Sequence, residues 1–352
     1  MLKSLKNKLR PYLPRNLPRT LQSLKEKDCA HTHIISFKPA VVYLTWGKGR
    51  DVIHDEMKGR RLTLLYVFYW ALMPEEIIAV SRQVRETLKR HPQHRVVMAC
   101  NEPHTVDLFR AQGVEAAFCS QNCLLNENTF FVDETVEKKY DAIYNANMAV
   151  YKRHLLAAKI KSLALITFRY VGTYENNYDQ EVQNALAHAT WLVDARNDAE
   201  KATAAQICRY CNESRVGLCL SDVEGAMYAS IEYLLCGLPV VTTRNIGGRD
   251  VFFDPDYVEW VDDDPEAVNQ GVINLIARAP SASVIRARTL QKMEQHRQYL
   301  RDIVRDDVPH LDIPWRPVTD GLSKASNGKV AVPHGPLMFR NLRELGKMLR
   351  QA

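Results

Sequence analysis

Short apolar runs of strand length alternate along this chain with stretches whose apolar residues recur every three or four positions. Thr32–Phe37 and Val41–Trp46 are two short strand candidates separated by Lys38-Pro39, and Leu62–Tyr69 is an apolar, aromatic run that reads as a buried strand. Residues 47–61 between them are polar and read as a loop or short helix. Pro74 can open a helix at its first turn, with Ile77, Ile78, Val80, Val84 and Leu88 predicted on the inner face. A strand over Arg95–Ala99, a helix over Pro103–Gln112 and a strand over Val114–Cys119 continue the series, and 132–140 reads as a polar linker.

Past the linker the alternation resumes. Asp141–Asn145 is a strand candidate, followed by a loop and a helix expected to start near Tyr151. Leu163–Thr167 and Thr190–Val193 are further strands, Ala199–Tyr210 a helix and Val216–Leu220 a buried strand. In the next helix Ile231, Leu234 and Leu235 fall at i, i+3 and i+4; Gly237 can take the left-handed position after it and Pro239 cannot continue it. Val240–Thr243 follows as a strand, then Val258–Val261, a helix over Pro265–Ala277 and a long polar helix over Val284–Val304. Residues 313–336 are rich in Pro, Gly and Ser and read as a traversing loop, before a last helix with Leu342, Leu345 and Leu349 on one face. Strands alternating with helices predict open, mostly parallel sheets, and the length of 352 residues suits two domains of ordinary size.

The chemistry is densest between Ser221 and Asp254. Glu224 and Glu232 lie eight positions apart, one at a helix mouth and one inside, about 12 Å along the axis if the intervening residues are helical. The free amides near Met227, Tyr228 and Ala229, with Gly225 beside them, can hold a diphosphate at the positive end of the helix dipole. Glu224 would then face sugar hydroxyls and Glu232 the ribose, since an ionised carboxylate only accepts hydrogen bonds. A capped helix with one acid near its first turn is the plainer alternative.

Composition narrows the class. An apolar fraction of 46% with 25% charged residues is that of a soluble globular protein, and a net charge of +6 permits acidic ligands without arguing for nucleic acid. Eight cysteines are scattered, several inside apolar runs, which suits a reducing, cytosolic setting; Cys208-x-x-Cys211 has no second pair at zinc-finger spacing. No run approaches the roughly 18 apolar residues of a membrane span, and no signal-peptide apolar region opens the chain. Residues 1–28 form a basic arm: Leu2, Leu5 and Leu9 share a helical face, Lys3, Lys6, Lys8 and Arg10 lie elsewhere, and Pro11, Pro14 and Pro18 interrupt it. An interfacial helix on anionic lipid and a solvated arm both fit that pattern.

Glu224-x7-Glu232, the CGLPVVTT run (236–243) and the Asn245-Ile-Gly-Gly248 turn together resemble the donor-binding core of retaining GT-B glycosyltransferases, especially the large family called family 4. Val258-Glu-Trp-Val261 and Asp262-Asp-Asp-Pro-Glu-Ala-Val268 are similar to that family's next strand, acidic loop and helix. Ala99-Cys-Asn-Glu102 and the segment from Gln121-Asn122 through Asn126 to Phe130 resemble the end of its N-terminal domain, so that the likeness runs in order over 95–278.

The resemblance implies an α/β GT-B fold, two Rossmann-like domains with parallel sheets facing a cleft, here with a shortened N-terminal domain. The expected division is 29–135 on the acceptor side, 141–312 for the nucleotide-sugar, and 313–352 crossing back to brace the first domain. It implies transfer of a sugar from a nucleoside-diphosphate-sugar to a glycan or lipid-linked acceptor hydroxyl with retention, in surface-glycan assembly, without metal or other cofactor. The setting implied is the cytoplasm or the inner face of the plasma membrane. Lys152 falls on the family's diphosphate-gripping lysine, Asn147 stands where an arginine is usual, and Arg153 is the candidate second cation. Tyr69 and Trp70 occupy the place of a sugar-facing histidine, and His104 is a candidate substitute. These departures leave open a catalytically idle GT-B binding protein, and an epimerase of GT-B build is a further alternative. A dehydrogenase is disfavoured, because no G-x-G-x-x-G follows the first strand of either half.

Overall fold

The computed structural model describes residues 30–47, 50–169, 177–194, 202–309, 316–317, 330–331, 336–339 and 342–351. The basic arm lies outside the described residues.

Five strands and three helices build the first half: β1 (Ala30–Phe37), β2 (Ala40–Thr45), α1 (Arg50–Glu56), β3 (Leu62–Val67), α2 (Pro74–Arg90), β4 (Arg95–Cys100), α3 (Pro103–Ala111) and β5 (Ala116–Phe118). β2 through β5 pair in parallel, and β1 is antiparallel to β2. Every residue of β3 is buried, as its unbroken apolar run requires of a central strand. On α2 the buried face is Ile77, Val80, Ser81 and Val84, while Ile78 is 48% exposed. One residue is 100° of helical rotation, and that carries Ile78 off the stripe on which it was expected.

The second half contributes β6 (Tyr140–Asn147), β7 (Leu163–Phe168), α4 (Tyr178–Ala185), β8 (Thr190–Val193), α5 (Ala204–Asn212), β9 (Ser214–Cys219), α6 (Tyr228–Leu235), β10 (Val240–Thr242), β11 (Val258–Trp260), α7 (Pro265–Arg278) and α8 (Ala282–Val304). Its strands run β11-β10-β9-β6-β7-β8, with every pairing parallel. Read from β8, this is the doubly wound order, whose reversal falls between β6 and β9; ligands of such sheets bind beyond the strand ends at that point. Asp264 caps α7, its Oδ2 accepting from the amides of Glu266 and Ala267 at 2.9 Å each.

No α-helix starts near Tyr151. Two 3₁₀ turns, Val150–Lys152 and His154–Ala157, stand there instead, joined by Arg153 in the left-handed region at φ 53°. The break has identifiable causes. Tyr144 donates its hydroxyl to Lys152 O, Tyr178 Oη accepts from the His154 amide at 2.9 Å, and the Arg153 guanidinium turns to Leu220 O, Thr243 Oγ1 and Asp263.

One helix ties the halves together, and later segments rejoin the first domain. α8 packs Ile285 and Met293 into the second core and Leu300 and Val304 against the first sheet, so the return crossing begins well before residue 313. Across the polar stretch, β12 (Arg316–Pro317) pairs with β13 (Val330–Ala331), and β14 (Pro336–Phe339) joins the first sheet antiparallel to β1. The helix α9 (Leu342–Gln351) then buries Leu345 and Leu349 beside Ile53 and Met57, which braces the first domain.

Candidate functional site

The topology brings to one place two side chains 72 positions apart. Lys152 follows β6 and Glu224 follows β9, the two strands at the switch point, and Lys152 Nζ is in direct contact with Glu224 Oε1. Both side chains are about nine-tenths buried. Burial pushes the Lys152 ammonium down to about 7, and the positive Arg249 pushes the same way; the Glu224 carboxylate against it favours the charged form.

Arg249 was not anticipated. Its guanidinium is wholly buried, donating to Ser221 O at 2.7 Å, Thr242 Oγ1 at 2.8 Å, Thr243 O and Asp250 Oδ1 at 2.9 Å. It pins the loops after β9 and β10 together beneath the Lys152–Glu224 pair and adds positive potential there. The signal in the sequence was an arginine directly after Gly247-Gly248 and just before the apolar Val251-Phe252-Phe253.

Glu232 lies on α6 and is 8% exposed; Asn145 Nδ2 donates to its Oε2 at 3.2 Å. Burial raises this carboxyl to about 7, against the pull of the Asn145 bond. α6 starts only at Tyr228, so 224–227 is not helical and the expected 12 Å axial separation of the two acids does not apply. Ser230 is the first residue to close a turn, its amide bonding Met227 O at 3.1 Å. The amides of Met227, Tyr228 and Ala229 are those that the first turn of a helix leaves over. Tyr233 Oη accepts from the Asn145 amide at 2.7 Å and its ring lies over Gly217, locking α6 onto β6 and β9.

Asn147, in the arginine position, is 1% exposed; its Oδ1 accepts from Tyr151 Oη at 3.1 Å and its Nδ2 is buried without a partner. Arg153 is not turned toward the Lys152–Glu224 pair. Its bonds to Leu220 O, Thr243 and Asp263 make it a staple of the loops behind the site.

The first domain closes directly on this region. A Cβ added to Gly225 would lie 2.3 Å from Tyr69 O and 3.0 Å from Trp70 N, and one on Gly248 would lie 2.4 Å from Asn101 O. Tyr69 hydrogen-bonds Thr45 and Tyr228, with the two tyrosine rings edge to face at 6.3 Å. Gln121 Oε1 accepts from Tyr228 Oη at 2.9 Å, and Asn122 Nδ2 donates to Ala226 O at 2.6 Å. Trp70 is 46% exposed at the rim of the seam, and His104 stands exposed at the start of α3. Gly225→Ala is therefore expected to destabilise the protein by about 1–3 kcal/mol, because the clash is with backbone that cannot rotate away. A melting temperature equal to that of the unmodified chain would contradict this packing.

Among the described residues no group of three or more His, Cys, Asp or Glu side chains is placed to hold a metal ion, and no helix is long and apolar enough to cross a membrane.

No protein-family model matches the chain, and no curated protein matches it. Solved structures do resemble it. Anabaena HepE in complex with UDP-glucose superposes with a TM-score of 0.52 at 14% identity, over 70% of this chain and 72% of that one. A glycosyltransferase from Rickettsia africae gives 0.51 at 15% identity over 71% and 72%, and the sucrose-phosphate synthase of Thermosynechococcus elongatus 0.50 at 13% over 71% and 69%. The fold of this chain is thus GT-B: two Rossmann-like α/β domains facing one another across the seam that carries Lys152 and Glu224.

Proposed function

We propose that the protein is a glycosyltransferase that moves a sugar from a nucleoside-diphosphate-sugar to an acceptor hydroxyl. The observation that carries this reading is the Lys152–Glu224 pair at the switch point of the second sheet, facing the first domain. Its neighbours in fold include a protein bound to UDP and glucose.

In this reading Lys152 and the α6 amides of Met227 to Ala229 bind the diphosphate, with the buried Arg249 raising the local potential. Glu232 and Asn145 receive the ribose hydroxyls. Glu224, exchanging its partner Lys152 for the donor, accepts from the sugar. Asn147 supplies a neutral amide where a second cation is usual, so charge compensation rests more heavily on Lys152. Trp70, and Tyr69 at the seam, border the acceptor. Transfer proceeds with retention: the anomeric carbon–oxygen bond breaks, the acceptor oxygen bonds on the same face, and its proton passes to the departing diphosphate. No metal is needed for that step, and a glycan or lipid-linked acceptor at the inner membrane face accords with the basic residues of 1–28.

Nucleoside diphosphates and their sugars, screened by thermal shift, test the reading. One of them is expected to raise the melting temperature by a few degrees, because a ligand that binds only the folded state stabilises it. Slow donor hydrolysis without acceptor should accompany the shift. Absence of any shift across UDP, GDP, ADP and their glucose conjugates would overturn the proposal, and binding without turnover would mark the idle binding protein.

A further inference from the structure

The turn that carries Glu224 into α6 stands in a conformation that its residue does not favour. Met227 has φ 48° and ψ 89°, the left-handed side of the map, which side chains other than glycine seldom adopt. Its side chain is 8% exposed and so is held within the core. Such a backbone persists only where surrounding groups over-determine it.

Ser230, in the same domain, donates its amide and hydroxyl to Met227 O at 3.1 and 2.8 Å, and the other domain supplies the rest. Asn122 Nδ2 donates to Ala226 O at 2.6 Å and lies 3.5 Å from Met227 O, on the two peptides that flank the strained dihedrals. Gln121, beside it, holds Tyr228 and also donates to Phe68 O at 3.0 Å, and its amide bonds Asn101 Oδ1 at 3.0 Å. Asn122 itself is fully buried, and its Oδ1 has no partner. A buried orphan acceptor is a cost, so stability of its own loop does not account for an asparagine here; donation across the seam does.

We propose that Asn122 is a positioning residue for the nucleotide-sugar site, holding the Ala226–Met227 turn so that the α6 amides and Glu224 are aimed only while the two domains are together. This rests on the reading given above, and it adds that the donor site is completed across the seam by the first domain of the same chain.

The test is a cycle of four proteins: the unmodified chain, Asn122→Ala, Met227→Gly and the double variant. Each is assayed for melting temperature without ligand, for affinity toward whichever of UDP, GDP or ADP stabilises the unmodified chain most, and for KM and kcat with the matching glucose conjugate. Asn122→Ala is expected to weaken nucleotide binding about tenfold, the size of one modest strain released into the open turn. In the Met227→Gly background the loss should shrink to about twofold or less, because glycine takes the left-handed turn unaided. Asn122→Leu, which keeps the size but cannot donate, should behave as Asn122→Ala. Equal losses in the two backgrounds, or failure of both Asn122 variants to fold in either, would overturn the positioning role. No nucleotide binding by the unmodified chain would instead overturn the functional reading beneath it.

Discussion

Glu224→Gln is expected to lower turnover about a hundredfold or more, the scale for removing one charged group that meets the reacting sugar, while leaving the fold intact. Removing one partner of a buried ion pair usually costs about 3–5 kcal/mol, since the other charge is stranded. Here the remaining partner has an escape. The Lys152 ammonium already sits near 7 through burial, so it can shed its proton when its carboxylate is neutralised. The glutamine variant should therefore melt close to the unmodified protein and titrate its residual binding of diphosphate with Lys152. Lys152→Met is the harsher change for binding, because it removes the cation and leaves Glu224 unpaired beside an incoming anion. Initial-rate assays at saturating donor decide the matter: rates within a factor of two of the unmodified protein in Glu224→Gln would remove this acid from the mechanism.

A second large effect concerns acid. His54 on α1, with His91 and His94 at the end of α2 and before β4, forms a buried stack with ring centroids 5.0–5.9 Å apart, and His54 Nδ1 lies 2.8 Å from His94 Nδ1. One of those two nitrogens must be unprotonated for the contact to form. Asp51 and Asp55 on α1 and Arg90 on α2 are the charged groups around the stack; Asp55 meets His91 Nε2 at 3.1 Å and Asp51 is paired with Arg90 at 3.2 Å. Burial first, and then the neighbouring histidines, push His54 down to about 3, and burial lowers His94. A folded-state value below the ordinary 6.5 means that the native state binds fewer protons than the unfolded chain between about pH 3 and 6.5. Stability accordingly falls as pH falls through that window, by as much as about 4–5 kcal/mol for His54 alone. Glu232 works in the opposite sense: its raised carboxyl favours the native state below about pH 4.5 and loses that contribution as pH rises to 7. Comparing melting temperatures from pH 7 to 4 in His54→Gln and the unmodified chain isolates the histidine contribution. The variant should show the flatter acid limb; parallel limbs would refute the effect.

Much of this arrangement was legible in the residues. The strands and helices of both halves follow their apolar periods, and spacing and resemblance singled out Glu224, Glu232 and Lys152 as candidates. What brings Lys152 onto Glu224 is the adjacency of β6 and β9, a property of strand order that no local period encodes. The 3₁₀ turns after β6 were missed because two of their causes, Tyr178 and Asp263, lie 24 and 110 positions away from the residues they hold. The same tertiary pull took Arg153 away from the site. Gln121 and Asn122 drew notice only as part of a family segment, since a carboxamide shows its role only when its carbonyl partners are in view. The histidine stack was equally hidden: its members are separated by up to 40 positions in polar or mixed surroundings.

The first sheet has one edge supplied by 336–339 and a face covered by α9. A ribosome delivers these residues only after the whole of the second domain. The amino-terminal domain therefore cannot be completed before 336–351 emerge, and its β1 edge and the apolar floor around Ile53 and Met57 must wait, uncovered, until after the carboxy-terminal domain has had its opportunity to form. Synthesis order and assembly order are inverted here, and any variant lacking 336–351 would leave its damage in the half made earlier.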